Sequence, residues 1–157
     1  MNCEEKLTEI IRSSELKVDI IENLKASENF TFLNAGNNRI VSKPTNKSVA
    51  YKIEEIPNQN KTEFKIYNNN SFQKWLLPVS KSDKDYTWIK CPIAKFSVSE
   101  ERKVEFLNNL IDNHGIIPKD FSSDDIGTVD GRVVITDYGY GFRDYEKEIQ
   151  GISEIES

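Results

Sequence analysis

One histidine, two cysteines and 26 acidic residues limit the chemistry open to this 157-residue chain. A Ser-His-Asp or Cys-His hydrolase would have to run through His114, and Asn113-His114-Gly115 reads as a polar helix end where the imidazole meets the helix dipole. Cys3 and Cys91 are too few for a disulfide framework, and a lone histidine leaves no Cys/His zinc cluster. Metal chemistry, if any, must then run on carboxylates, a donor set that suits Mg²⁺. The acids that stand out are Asp120 and Asp125, and Asp137 in Asp137-Tyr138-Gly139 at the end of the apolar run Val133-Val134-Ile135. Lys52 closes the short run Val49-Ala50-Tyr51-Lys52, and Glu63 follows eleven residues later. Each has an ordinary explanation beside the chemical one: a strand-end lysine in solvent, a glutamate on an exposed helix face, aspartates that merely make turns.

The elements that must position these residues follow from periodicity. Leu7, Ile10 and Ile11, then Leu16, Val18, Ile20, Ile21 and Leu24, recur at helical spacing within the first 28 residues. Ser13-Ser14 divides two helices, with Ser14 expected as N-cap of the second. Three short strands follow: Phe30–Leu33, Arg39–Ser42 and Ser48–Ile53, separated by turn-like Asn-rich and Pro-containing segments. Residues 58–67 form a short helix ended by the Asn tract at 68–70. Residues 72–79 and 86–93 are expected as two more strands, joined by the charged turn at 81–85. Residues 99–113 make an amphipathic helix with Ser99 as N-cap, Gly115 as stop, and Val104, Phe106, Leu107, Leu110 and Ile111 as its apolar face. Asp130-Gly131 between residues 126–129 and 132–136 is a hairpin signal. The class is α+β.

Composition excludes several partners. With 37% hydrophobic residues the chain can build a core, and its formal charge of −5 argues against general nucleic-acid binding and against an anionic membrane surface. No apolar run is long enough to span a bilayer, and the start MNCEEKLTEI lacks the basic and apolar regions of a signal peptide. A cytoplasmic protein is the expectation.

Taken in order, these segments resemble the protein kinase and aminoglycoside phosphotransferase superfamily across residues 30–142. Residues 33–41, Leu33-Asn34-Ala35-Gly36-Asn37-Asn38-Arg39-Ile40-Val41, are similar to the hairpin L-G-x-G-x-x-G-x-V that covers nucleotide phosphates, with Gly36 and Val41 in place. VAYK resembles the strand whose lysine holds the α- and β-phosphates, and Glu63 stands where the helix carboxylate pairs with it, within about 4 Å. Asp120 to Asp125, the hairpin, and Asp137-Tyr138-Gly139 resemble the catalytic loop D-x₄-N and the D-F-G metal motif. The resemblance implies that Asp120 orients a hydroxyl acceptor, that Asp125 and Asp137 hold Mg²⁺, and that Lys52, Glu63, Gly36 and Val41 serve ATP. In particular it resembles the very small kinase-like proteins of bacteriophages and mobile elements, which implies a host cytoplasm as its location.

The resemblance implies an antiparallel-sheet N-lobe over residues 29–96, built from 30–56 and 72–93, and a reduced helical C-lobe over 97–145. Residues 1–28 would be a helical extension outside the family core, and 146–157 an acidic tail. Departures are plain: Pro118-Lys119 precedes Asp120, Asp125 replaces the usual asparagine, and Asn34 and Arg39 replace two loop glycines. Only 18 residues follow Gly139, so the activation segment and substrate-binding helices have no counterpart. Two functions are therefore expected in competition. One is a minimal kinase using Mg-ATP on a hydroxyl. The other is a pseudokinase, an interaction or inhibitor protein acting on a host partner.

Overall fold

The computed structural model describes residues 1–36, 39–55, 58–69, 72–119 and 121–143. The chain divides into two compact units, Met1–Asn60 with Ser80–Ile93, and Lys61–Val79 with the residues from Ala94 onward. Among the described residues no helix is long and apolar enough to cross a membrane.

The first unit opens with α1 (Cys3–Arg12), capped by Asn2, whose side chain accepts the Glu5 N–H at 2.8 Å while Glu5 reaches back to the Asn2 N–H. Helix α2 (Lys17–Ala26) starts at Leu16, whose N–H donates to the Asp19 carboxylate at 2.9 Å. Ser14, expected as this cap, instead donates its hydroxyl to the Ile10 carbonyl at 2.7 Å and so belongs to the end of α1.

Five antiparallel strands follow in the order β1-β2-β3-β5-β4: β1 (Phe30–Ala35), β2 (Ile40–Pro44), β3 (Val49–Ile53), β4 (Lys81–Ser82) and β5 (Trp88–Pro92). Helix α3 (Gln59–Asn69) leaves the sheet after β3 and continues into the second unit. One face of the sheet presents Phe30, Ile40, Tyr51, Ile53 and Trp88, and α1 and α2 cover it with Leu7, Ile11, Ile20 and Leu24 in one core. The two helices expected within residues 1–28 are present and share the sheet's hydrophobic core.

Residues 72–79 are a correction. They add no strand to the sheet: Gln73–Trp75 is a 3₁₀ turn, and Leu76 makes a single parallel bridge to Ile135 within the second unit. The position beside β5 is taken by Lys81–Ser82, part of the expected turn. Leu76 and Leu77 are adjacent and both buried, which breaks the two-residue alternation of a half-covered strand, and Pro78 has no N–H for a ladder.

In the second unit, α4 (Glu100–Asn108) begins at Ser99, whose hydroxyl accepts the Arg102 N–H at 3.2 Å, and widens into a π-helical turn over Asn109–Asn113. Gly115, at φ 66°, stops it as expected. Its buried stripe is rotated from the expected one. Lys103 and Leu110 are buried, Phe106 and Leu107 half-buried, and Val104 and Ile111 exposed. Lys103 fits there because its stem is apolar and its ammonium reaches exposed Glu100 at 3.4 Å.

Strands β6 (Ile126–Val129) and β7 (Arg132–Ile135) form the expected hairpin, with Asp130 at φ 52° and Gly131 at φ 77° supplying the left-handed pair of a type I′ turn. Lys95 exchanges hydrogen bonds with Thr128 at 2.7 and 2.9 Å on one side, and the Leu77 N–H donates to the Ile135 carbonyl on the other. A Cβ on Gly127 would stand 2.8 Å from the Lys95 carbonyl oxygen and 3.0 Å from the Thr136 methyl. Backbone cannot yield cheaply there, so Gly127→Ala is expected to cost about 2 kcal/mol. Urea unfolding checks it, and an unchanged midpoint would mean that the Lys95 segment gives way freely.

Candidate functional site

Strand β3 alternates, so Ala50 and Lys52 point away from the helix-covered face. Its neighbours place Val41 of β2 and Ile89 of β5 on either side of Lys52. Val41 and Lys52, two residues of the expected nucleotide site, therefore share one side of the sheet, with Ala50 beside them. Lys52 is only 7% exposed, which removes the plain alternative of a solvated strand-end lysine. Gly36 begins the tight β1–β2 loop, its N–H donating to the Arg39 carbonyl at 2.9 Å and its own carbonyl accepting from Lys17 Nζ. It uses neither of glycine's liberties: its φ is not positive, and an added Cβ would find its nearest neighbour, the Arg39 carbonyl oxygen, at 4.0 Å.

The second unit holds the other candidates. Glu63 on α3 is fully buried, and its Oε2 accepts the N–H of Tyr138 at 3.3 Å. Tyr138 is itself buried, its hydroxyl donating to the Leu77 carbonyl at 2.7 Å and its ring stacked on Phe142. Asp137 is half-buried and accepts the Gly139 N–H at 3.3 Å, an Asx-type turn at the strand end. The carboxylate of Asp125 accepts the Ser122 N–H at 3.1 Å, capping a 3₁₀ turn, while its carbonyl takes both the N–H and the hydroxyl of Thr136. The hairpin thus brings Asp125 level with the residue before Asp137. Asp120 lies outside the described residues, and among the described ones no three His, Cys, Asp or Glu side chains gather as a metal site. Lys52 belongs to the first unit, and Glu63, Asp125 and Asp137 to the second. His114 is the C-terminal cap of its helix, as expected, and its ring lies 4.4 Å from that of Trp75.

Two polar networks in the first unit carry no sequence signature. Asn60, fully buried at the start of α3, gathers Arg39, Lys52 and Tyr86 around its side chain. On the helix-covered side, the Glu4 carboxylate accepts from Lys81 Nζ at 2.6 Å and from the Tyr51 hydroxyl at 2.9 Å, with Lys90 Nζ at 3.5 Å. An open groove of about 800 Å³, lined in part by Glu4, Arg12, Lys81, Asp83 and Trp88, borders that network, away from the Lys52 face. Burial works to raise the Glu4 pKa, but the hydrogen bonds from Lys81 and Tyr51 and the charges of both lysines outweigh it and hold it below the usual 4.5. Burial, then the Glu4 hydrogen bond and charge, pushes the Tyr51 hydroxyl upward. A carboxylate with a lowered folded pKa adds stability that is present above its ordinary value and lost as pH falls through the lowered one. Glu4→Gln should therefore flatten the stability profile below pH 4.5. Denaturant midpoints of variant and wild type across that range test this, and parallel profiles would refute it.

Compared with known proteins, the chain matches no family model, and no curated protein matches it significantly.

Proposed function

We propose that this protein is a minimal kinase-like phosphotransferase that binds Mg-ATP and passes the γ-phosphoryl group to a hydroxyl acceptor. One observation carries the reading. Glu63 and the Asp-Tyr-Gly segment, separated by 75 residues in the chain, meet through the hydrogen bond from the Tyr138 N–H to the buried Glu63 carboxylate. Turn residues that merely end a strand have no need of a buried glutamate on a remote helix. The face shared by Val41, Ala50 and Lys52 adds support, since it sets a cation among apolar side chains, as an adenine and its phosphates require.

The residues fit Mg-ATP in type. Lys52 would take the α- and β-phosphates, and Asp125 and Asp137 offer hard oxygen ligands suited to Mg²⁺, which supplies charge neutralisation at the transferring phosphoryl group. Asp120 would orient the acceptor hydroxyl. The second reading is a pseudokinase that serves a phage or mobile element by binding a host protein. It is favoured by the Asp125 carboxylate, already committed to capping Ser122, and by Arg39 in place of a loop glycine.

Calorimetric titration with ATP in the presence of Mg²⁺ tests both readings together with a radiolabelled phosphoryl-transfer assay. Saturable binding with transfer is the expected result. Binding without transfer selects the pseudokinase, and no binding overturns the nucleotide site.

A further inference from the structure

The polar cluster at the start of α3 is not accounted for by any of these roles. Arg39, Glu54, Gln59 and Asn60 are 7, 3, 6 and 0% exposed, and all four belong to the first unit. Asn60 Nδ2 donates to the Lys52 carbonyl and to the Tyr86 carbonyl, both at 3.0 Å, and Oδ1 accepts from Arg39 Nη1 at 3.4 Å. Both amide donors and the acceptor are thereby used on three separate segments of chain. The Glu54 carboxylate accepts the Asn60 and Gln59 N–H groups at 2.6 and 3.2 Å, satisfying first-turn donors of α3 and countering the positive end of its dipole. Tyr86 is held at φ 59°, a left-handed conformation unfavourable for a side chain of that bulk, and its carbonyl is one of those gripped by Asn60. At the loop's other end, Gly36 is tied to the Arg39 carbonyl and to Lys17 of α2.

Glycines in a phosphate-covering loop give it freedom to move. This loop has the opposite construction, with a buried guanidinium at its exit. A buried polar network whose members are bonded to one another rigidifies what it joins.

We infer that Arg39 and Asn60 form a latch that fixes the start of β2 and the Lys52 strand to the start of α3, and that both are positioning residues for the ligand of the Lys52 face. The latch stands on the contacts of the first unit alone, whereas its effect on a ligand rests on the nucleotide reading above. A latched Arg39 is preorganised together with the strand it begins, so ligand binding need not order them, and losing the latch weakens affinity without removing any group that touches the phosphates.

Hydrogen exchange of the full apo chain decides the latch. In Arg39→Met, the amides of Ala35, Gly36 and Ile40 should exchange about ten- to a hundredfold faster, the loss expected for a buried hydrogen bond to a charged group. Those of Ile89 and Cys91 in β5 should not change, and Arg39→Lys should recover part of the protection. Unchanged exchange at the hairpin overturns the latch. Should Arg39→Met not fold, Arg39→Lys, which keeps the charge but not the reach of Nη1 to Asn60, must still raise exchange at Gly36 and Ile40 above wild type, and no rise is equally fatal. Calorimetry with Mg-ATP decides the positioning role: Arg39→Met should bind about tenfold more weakly, with Arg39→Lys closer to wild type. Equal affinity in wild type and Arg39→Met overturns that role. A wild type that binds no Mg-ATP sinks the nucleotide reading, and the positioning role with it, while the exchange result still decides the latch.

Discussion

Replacing Tyr138 by alanine is expected to destabilise the second unit by about 3–5 kcal/mol, the range for deleting a buried aromatic ring. Tyr138 is 1% exposed and its ring stacks on Phe142, so the ring leaves a cavity that its neighbours cannot easily fill. Its hydroxyl is the donor to the Leu77 carbonyl, whose own N–H is already engaged with Ile135. Tyr138→Phe isolates that bond and should cost about 1 kcal/mol. Against a total stability of about 5–15 kcal/mol, the alanine variant should shift the urea midpoint far down, and the phenylalanine variant only slightly. A loss below about 1 kcal/mol in Tyr138→Ala would mean that the ring is not part of the core. The comparison matters for function because the same residue joins Asp137 to Glu63: if its packing is weak, so is the support for the phosphotransferase reading.

The next largest effect concerns Mg-ATP. At a concentration a hundredfold above the dissociation constant, binding should stabilise the wild type by about 2.7 kcal/mol. For a chain of this size that raises the melting temperature by about 5–10 °C. Asp137→Asn should lose most of the gain. Asparagine keeps an oxygen to accept the Gly139 N–H, so the turn survives in the apo protein, but it no longer brings a negative charge to a divalent cation. Melting curves of both proteins, with and without Mg-ATP, give the answer. A full shift in Asp137→Asn removes that residue from metal binding. No shift in the wild type at millimolar Mg-ATP leaves a non-catalytic binding protein as the standing interpretation.

How much of this was legible in the sequence depended on the range of the interaction. The Ser99 cap, the Gly115 stop and the Asp130-Gly131 turn are decided within a few residues, and all three stand as read. Ser14 went astray although its signal was also local, because its hydroxyl found the end of the preceding helix first. Residues 72–79 failed for a different reason: hydrophobicity alone does not separate a strand from an irregular segment buried on all sides, and the adjacent Leu76 and Leu77 were the available warning. On α4 the apolar letters pointed to Val104, while the buried position went to Lys103, whose stem counts as apolar only in three dimensions. In the candidate site, Lys52 and Glu63 stood out by residue type and spacing. Asn60 was not, since its side-chain partners lie 8, 21 and 26 residues away and no periodicity encodes them.

The first unit is discontinuous in sequence, and that has a consequence for its birth on the ribosome. Strand β3 has β2 as one neighbour, but its other neighbour, β5, arrives only with residues 88–92. Helix α1 is likewise held by late residues, with Thr8 accepting from the Trp88 indole across 80 positions and Glu4 joined to Lys81 across 77. At about 5–20 residues per second, the interval between emergence of residue 60 and of residue 93 is about two to seven seconds. For that interval the nascent chain carries an unpaired strand edge in β3 and a helix pair whose sheet is incomplete, the features that invite wrong pairing. The closing ties are also the most distant in sequence, so the first sixty residues cannot complete their unit until the β4–β5 hairpin is made.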